Sequence, residues 1–256
     1  MSGRVAAAAR PRGRHALRSR AFAEELVHDA RVLPGTLVLD LGAGAGMLTR
    51  ALVDAGARVL AVELDAHALA TLRSRFAGEP RVEIRRADAT TVPLPREPFA
   101  VVANLPFAAG TAILRRLLGD PGLSLAQLDA IVEWGLAAKR TAVWPSTLLA
   151  CVWGARYELS LVRRVPRSCF APPPSVDAAL LRAVRRTEPL VPVREAREYE
   201  ALVRRGFAGQ APLDRILPRR SVHAVAHAHG FDPHARARDL DARQWAALFS
   251  VCRRAA

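Results

Sequence analysis

Two carboxylates, one glycine-rich turn and one neutral four-residue turn carry the chemistry legible in this chain. Asp40-Leu41-Gly42-Ala43-Gly44-Ala45-Gly46 lies where an apolar run meets a helical pattern. Glycines at such a junction let backbone pass close to a ligand, and the helix start offers free N–H groups. The spacing is not the dinucleotide fingerprint, because the third glycine comes one residue early. Glu63 ends the next apolar run, placed to accept hydrogen bonds from two ribose hydroxyls. Asp88 follows a third run, where a carboxylate accepts from an adenine amine. Taken singly, the loop is compatible with a plain tight turn and each acid with an exposed loop residue. Their succession at three strand ends points to a ligand, since ligands bind at the carboxyl ends of such strands. No lysine accompanies the loop to bind phosphates. An adenosine with a short zwitterionic tail therefore fits better than a polyphosphate, and S-adenosylmethionine is such a molecule.

Asn104-Leu105-Pro106-Phe107 ends a fourth apolar run. The Asn104 amide oxygen and the Leu105 carbonyl are two acceptors able to hold both protons of an exocyclic adenine amine. That amine is a poor nucleophile because its lone pair delocalises into the ring. Orienting it toward a methyl donor is catalysis by position and dipoles. Pro106 stiffens the turn, and Phe107 offers a stacking face. A second rigid aromatic loop, Phe170-Ala171-Pro172-Pro173-Pro174-Ser175-Val176, supplies Phe170 as a candidate to cover the other face of an extruded base. A turn with a buried Phe and a core anchor are the plainer readings of these two loops.

These residues need strands and helices to hold them. The pattern predicts strands at 37–39, 59–62, 82–84, 99–103, 128–133, 157–162 and 178–184, with helices at 47–55, 67–76 and 109–118 between them. Phe22, Leu26 and Val27 mark an earlier helix that Pro34-Gly35 ends. This alternation predicts an α/β, doubly wound sheet. Beyond Pro189 and Pro192 the texture becomes helical, with breaks at Pro212, Pro218, Gly230 and Pro233. The expected organisation is a basic N-terminal arm over 1–20, a catalytic domain over 21–185 and a small basic helical domain over 186–256.

Charge indicates the partner. The 256 residues carry 38 Lys+Arg, of which Lys139 is the one lysine, against 24 Asp+Glu, for a net charge of +14. With 51% hydrophobic residues the chain is a folded polycation that favours a polyanion. Arg10, Arg12, Arg14 and Arg18 in the arm, and Arg140 further on, are the candidate RNA contacts. The pairs Arg163-Arg164, Arg185-Arg186, Arg204-Arg205, Arg219-Arg220 and Arg253-Arg254 also suit phosphates. An Arg-rich, acid-free start suits nucleic acid better than a mitochondrial presequence. No apolar run is long enough to span a membrane. Cys151, Cys169 and Cys252 are widely spaced, without a CxxC, which argues against a disulfide scaffold and for a reducing cytoplasm. His223, His227 and His229 lack an evident further ligand, so no metal is expected.

Together these motifs resemble the ribosomal RNA adenine N6-methyltransferases, and within them the erythromycin-resistance (Erm-type) 23S rRNA enzymes. The elements Asp40–Gly46, Val62-Glu63-Leu64-Asp65, Ala87-Asp88-Ala89, Asn104–Phe107 and Phe170–Val176 follow that family's order and spacing, strongly over 13–185 and more loosely beyond. The segment 131–140 looks like the actinobacterial Erm branch. The resemblance implies a Rossmann-like S-adenosylmethionine-dependent methyltransferase domain followed by a small helical domain. It implies a monomeric enzyme that methylates N6 of an adenine in 23S rRNA and confers macrolide, lincosamide and streptogramin B resistance. Gly42, Gly44, Glu63, Asp88 and Asn104 would bind the cofactor, with Asn104, Leu105, Pro106 and Phe107 at the target amine. His15 and Leu17 align with cofactor-lining positions of a Gly-Gln-Asn/His-Phe-Leu motif. Here that motif reads Gly13-Arg14-His15-Ala16-Leu17, with Arg14 for Gln and Ala16 for Phe.

Other readings stay open at this level. A small-subunit rRNA adenine pair is an alternative target. The Arg14 and Ala16 departures leave room for a non-catalytic RNA-binding factor on the same fold. A nicotinamide-dependent oxidoreductase fits poorly, given the glycine spacing and the lack of a Tyr-x3-Lys pair.

Overall fold

The computed structural model describes residues 15–254. Along the chain they form β1 (Ala16–Leu17), α1 (Arg20–Asp29), β2 (Leu37–Leu41), α2 (Met47–Asp54), β3 (Arg58–Glu63), α3 (Ala66–Arg75), β4 (Val82–Arg86) and β5 (Phe99–Asn104). There follow α4 (Gly110–Gly119), β6 (Leu125–Glu133), α5 (Trp134–Thr141), α6 (Leu148–Gly154), β7 (Tyr157–Val165), β8 (Phe170–Ala171) and β9 (Ala178–Arg185). Three helices complete the chain: α7 (Ala196–Phe207), α8 (Arg219–His229) and α9 (Ala242–Arg254).

Seven strands form one sheet in the order β4-β3-β2-β5-β6-β9-β7. Strands β2 to β6 pair in parallel, and β9 runs antiparallel to both β6 and β7. The architecture is Rossmann-like α/β, as the alternation of patterns predicts. Residue type explains the placement of each strand. The central β2, Leu-Val-Leu-Asp-Leu, is apolar almost throughout because helices cover both faces. The edge strand β7 alternates half-buried with exposed positions between two buried ends, as a strand with one solvated face must. Side chains also set helix starts. Ser19, Asp65 and Thr147 cap α1, α3 and α6 by accepting from Phe22, Ala68 and Ala150 backbone N–H groups.

The strand order reverses at β2, which pairs with β3 on one side and β5 on the other. Such a switch point opens a crevice at the carboxyl ends of the strands, where ligands bind. The glycine turn leaves β2 there, and Asn104–Phe107 leaves β5 beside it.

Two features depart from the linear reading. Residues 15–20, assigned to the arm, are tied into the catalytic unit. Strand β1 pairs antiparallel with β8, Ala16 opposite Ala171 and Leu17 opposite Phe170, and the Arg18 N–H donates to the Cys169 carbonyl at 2.9 Å. A two-residue strand has no periodicity to read, and its partner lies far along the chain. The C-terminal helices, for their part, share a continuous buried cluster with the sheet: Trp153 and Tyr157 on one side, Tyr199, Val203, Trp245 and Phe249 on the other. Tyr199 Oη donates to the Cys151 carbonyl at 3.1 Å. Gly154 in α6 is approached so closely by Ala242 of α9 that an added Cβ would lie 2.7 Å from the Ala242 Cβ. Even the Pro189–Pro192 stretch is anchored, with Val191 buried and the Leu190 N–H donating to the Ala155 carbonyl at 2.8 Å.

Candidate active site

The glycine turn is built on backbone that only glycine adopts without strain. Gly42, Gly44 and Gly46 have φ of 82°, 57° and 83°. Gly46 also lies against α3, where an added Cβ would fall 2.6 Å from both Leu72 Cδ1 and Phe76 Cε2. At Gly42 a Cβ would meet Pro106 Cδ at 3.3 Å, so the glycine turn and the Asn-Leu-Pro-Phe turn touch each other. The N–H groups of Gly42 and Ala43 donate to the Val62 carbonyl at 2.8 and 3.0 Å, fixing the turn to the end of β3.

Glu63 is nearly fully buried. Its Oε2 accepts from the Gly44 N–H at 2.9 Å, and its Oε1 accepts from the Leu64 and Asp65 N–H groups at 2.8 and 2.7 Å. The carboxylate thus ties two neighbouring strand ends together at the crevice. Asp88 lies beyond β4, whose last residue, Arg86, stands opposite Glu63 in register. Exposed, it accepts from the Thr90 N–H and Oγ1, each at 2.7 Å, and the Thr90 hydroxyl and backbone hold its carboxyl below the usual carboxylate range.

Asp40 heads the glycine motif, but the linear pattern assigns its side chain no role. Its side chain is 1% exposed, and burial pushes its carboxyl up to about 7, although the Thr49 hydroxyl donates to it at 2.7 Å. This pair spans the glycine turn from strand β2 to helix α2. The one available signal was a hydroxyl at 49 on the apolar Leu48-Ala51-Leu52 face of α2.

Asn104 is held from the other side of the chain. Its Nδ2 donates to the His15 carbonyl at 2.7 Å. Among the described residues, the buried Asn104 Oδ1 has no hydrogen-bond partner. Because His15 supplies an acceptor, the amide orientation is set by its surroundings, and the oxygen is the end left open. Leu105 is buried, and its N–H donates to the Ile131 carbonyl at 3.1 Å. His15 Nδ1 lies 2.9 Å from the Pro172 carbonyl oxygen, and its ring lies 5.4 Å from that of Phe107. Leu17 is buried in the core cluster of α1 and β2. The structure therefore brings His15, Gly42, Gly44, Glu63, Asn104, Pro106 and Phe107 to one crevice, with Asp88 at its β4 margin.

Phe170 differs from expectation. Its ring is 0% exposed and meets Phe107 edge-on at 6.3 Å and 77°. The β1–β8 pairing pulls it into the core, so it buttresses Phe107 and offers no open face to a base.

The basic residues divide between exposed positions and internal partners. Arg10, Arg12 and Arg14 lie outside the described residues, and Arg18 is exposed beside β1. Arg140 is half-buried in a cavity of about 500 Å³ lined also by Arg115, Thr147, Trp153, Glu200 and Arg204. It donates to Thr147 Oγ1 at 3.0 Å, and burial, reinforced by Arg115, lowers its pKa. The arginine pairs bind mostly within the protein. Arg163 meets Glu25 and Asp29; Arg164 meets Asp177; Arg186 meets Glu158; Arg204 meets Glu200; Arg253 meets Glu195. Arg185 and Arg205 donate to backbone carbonyls. Many of these guanidinium groups are thus engaged within the protein, although pairing with acids leaves the net charge of +14 unchanged. Among the described residues, no helix is long and apolar enough to cross a membrane.

Comparison with known proteins agrees with this geometry. A family model described as ribosomal RNA adenine dimethylase matches residues 9–253. The mycinamicin-resistance protein MyrB of Micromonospora griseorubida is 39% identical over 221 residues, covering 84% of this chain and 70% of that protein. Ribosomal RNA small subunit methyltransferase A of Synechococcus sp. (strain JA-3-3Ab) is 34% identical over 254 residues, covering 92% and 90%. The crystal structure of the 23S rRNA methyltransferase ErmE superposes with a TM-score of 0.82 at 31% identity, over 93% of this chain and 99% of that one.

Proposed function

The chain belongs to the ribosomal RNA adenine dimethylase family, and on that premise we propose that it methylates N6 of an adenine in 23S rRNA. One observation carries the assignment of the site: the buried, unpartnered Oδ1 of Asn104 beside Phe107 and the glycine turn. A buried acceptor without a donor costs about 1–3 kcal/mol, so a fold retains one where a ligand donor completes it.

The cofactor of this enzyme class is S-adenosylmethionine, which supplies the methyl group. The residues present fit it. Gly42 and Gly44 present backbone without side chains, next to the start of α2. Glu63 accepts from ribose hydroxyls while keeping its hold on the turn, since each carboxylate oxygen accepts more than one hydrogen bond. Asp88, kept ionised by Thr90, accepts from the adenine amine of the cofactor. His15, just before β1, closes the pocket beside Phe107, and Leu17 supports it from the core.

At the substrate side, the Asn104 Oδ1 and the Leu105 carbonyl accept the two N6 protons of the target adenine. The lone pair then points away from the ring plane and toward the methyl donor. These same dipoles stabilise positive charge as it develops on N6. Phe107, braced by Phe170 and His15, stacks on the extruded base. The methylated ammonium is acidic enough to lose its proton to water, so the scheme needs no strong base.

The 23S target and a role in macrolide, lincosamide and streptogramin B resistance are supported by the likeness to MyrB and to ErmE, at 39% and 31% identity. The small-subunit reading is favoured by the near-complete mutual coverage with the Synechococcus enzyme. On the first reading the protein acts as a cytoplasmic monomer. Mass spectrometry of rRNA from a host expressing the protein separates the two. N6-methyladenine in a 23S fragment, with raised macrolide tolerance, is expected. Modification confined to 16S rRNA reassigns the target, and unmodified rRNA refutes both.

A further inference from the structure

Away from the crevice, three side chains from separate segments converge. Asp214 lies in the 3-10 turn Leu213–Arg215, His223 on α8, and His234 in the loop between α8 and α9. The ligand atoms of all three lie within 4.8 Å of one another. His234 Nδ1 is 3.0 Å and His223 Nε2 is 3.6 Å from Asp214 Oδ2. The His rings stand perpendicular, with centroids 5.8 Å apart.

We propose that Asp214, His223 and His234 form a zinc-type divalent cation site that staples the 3-10 turn, α8 and the following loop together. Three observations carry it. Two imidazoles and a carboxylate make a donor set suited to a borderline divalent ion. The spacing is near that of a tetrahedral site, where donors about 2.1 Å from zinc lie roughly 3.4 Å from one another. Two atoms of the cluster are also open: Asp214 Oδ1 and His223 Nε2 are buried and make no hydrogen bond among the described residues, and the Asp214 side chain is only 6% exposed. Without a cation, a buried carboxylate between two imidazoles leaves part of its capacity unmet. A cation would take the two imidazole nitrogens and an Asp214 carboxylate oxygen as ligands and leave a fourth position for water.

Two further charges lie close by: Asp232, whose Oδ1 accepts from the His234 N–H at 2.8 Å, and Arg219, whose Nε lies 3.9 Å from Asp214 Oδ2 on a side chain that is 71% exposed. Arg219 is free to swing outward as the ion enters. The segments joined are otherwise linked by the Leu213 N–H donating to the Ala235 carbonyl at 2.9 Å. This site replaces the expectation of no metal, which rested on His223, His227 and His229. His227 and His229 are exposed on α8 and are not part of the cluster. The other two ligands come from the turn before α8 and the loop after it.

The test is zinc retention by untagged protein, dialysed with one equivalent of Zn²⁺ and then against metal-free buffer, read by elemental analysis. Wild type and the H227N/H229N double variant are expected to retain one zinc per chain. His234→Asn, at an exposed position that tolerates the change, and Asp214→Asn are expected to retain less than a tenth of that. Zinc should also raise the melting temperature of wild type but not of His234→Asn. Failure of wild type to retain zinc, equal retention by His234→Asn, or loss in the double variant overturns the site. None of these readouts depends on methyl transfer, so the result stands apart from the proposed function.

Discussion

The Asn104 Nδ2 donates to the His15 carbonyl at 2.7 Å, and this one bond decides which end of the amide faces the crevice. A residue at the end of β5 is oriented by backbone 89 positions earlier in the chain. The Asn104 Oδ1 is left buried and open. Substitution of Asn104 by Ala therefore removes an acceptor aimed at developing charge. Loss of one such preorganised dipole lowers turnover by roughly 100- to 1,000-fold. Methyl incorporation into unmethylated 23S rRNA should fall by that factor, with S-adenosylmethionine affinity changed less than tenfold. Unaltered incorporation rejects the role given to Asn104.

Two of the three glycines of the turn fail differently. Gly46→Ala places a Cβ 2.6 Å from Leu72 and Phe76 on a backbone with φ of 83°. Overpacking and strain together predict a loss of about 1–3 kcal/mol, read as a lower melting temperature. Gly42→Ala pushes against Pro106 at 3.3 Å and shifts one turn relative to the other. Its expected signature is weaker cofactor binding and slower transfer, with a smaller fall in melting temperature than Gly46→Ala. A reversed order of stabilities contradicts this division.

Asp40 makes stability depend on pH. Burial raises its carboxyl to about 7, so the folded protein binds this proton more tightly than the unfolded chain does. The contribution is fully present below the ordinary carboxylate range and is lost as pH rises through about 7. Thermal melts from pH 4 to 8.5 should show wild type losing stability between about pH 4 and 7 and levelling off above that. Asp40→Asn, which keeps an acceptor for Thr49, should show a flatter profile. Parallel profiles exclude Asp40 as the source.

The internal ion pairs limit the charge available to RNA. Binding that neutralises about four phosphates predicts a roughly hundredfold fall in affinity between 50 and 200 mM salt. Fluorescence anisotropy with an rRNA hairpin measures it. Changing Arg18 to Gln should flatten the log–log slope by about one. A wild-type slope near ten indicates that the paired arginines are released on binding, and a flat response removes RNA from the account of the charge.

Much of this protein is determined by local sequence. The strand and helix pattern, the left-handed glycine turn, and the strand-end positions of Glu63 and Asp88 follow from hydrophobic period and from the backbone freedom of glycine. The family motifs at Asn104–Phe107 are legible for the same reason: they occupy short, contiguous stretches. What only the tertiary structure decided depends on residues far apart in the chain. The carbonyl of His15 orients Asn104, β8 buries Phe170 behind Phe107, and acids from distant elements take up arginines that look free in the sequence. Asp214 and His234 reach His223 only because the turn and loops of the helical region fold back on α8. Periodicity reports which face of an element is buried. It carries no information on which distant side chain meets that face, and the open acceptor, the buried ring and the three-ligand cluster all arise from such meetings.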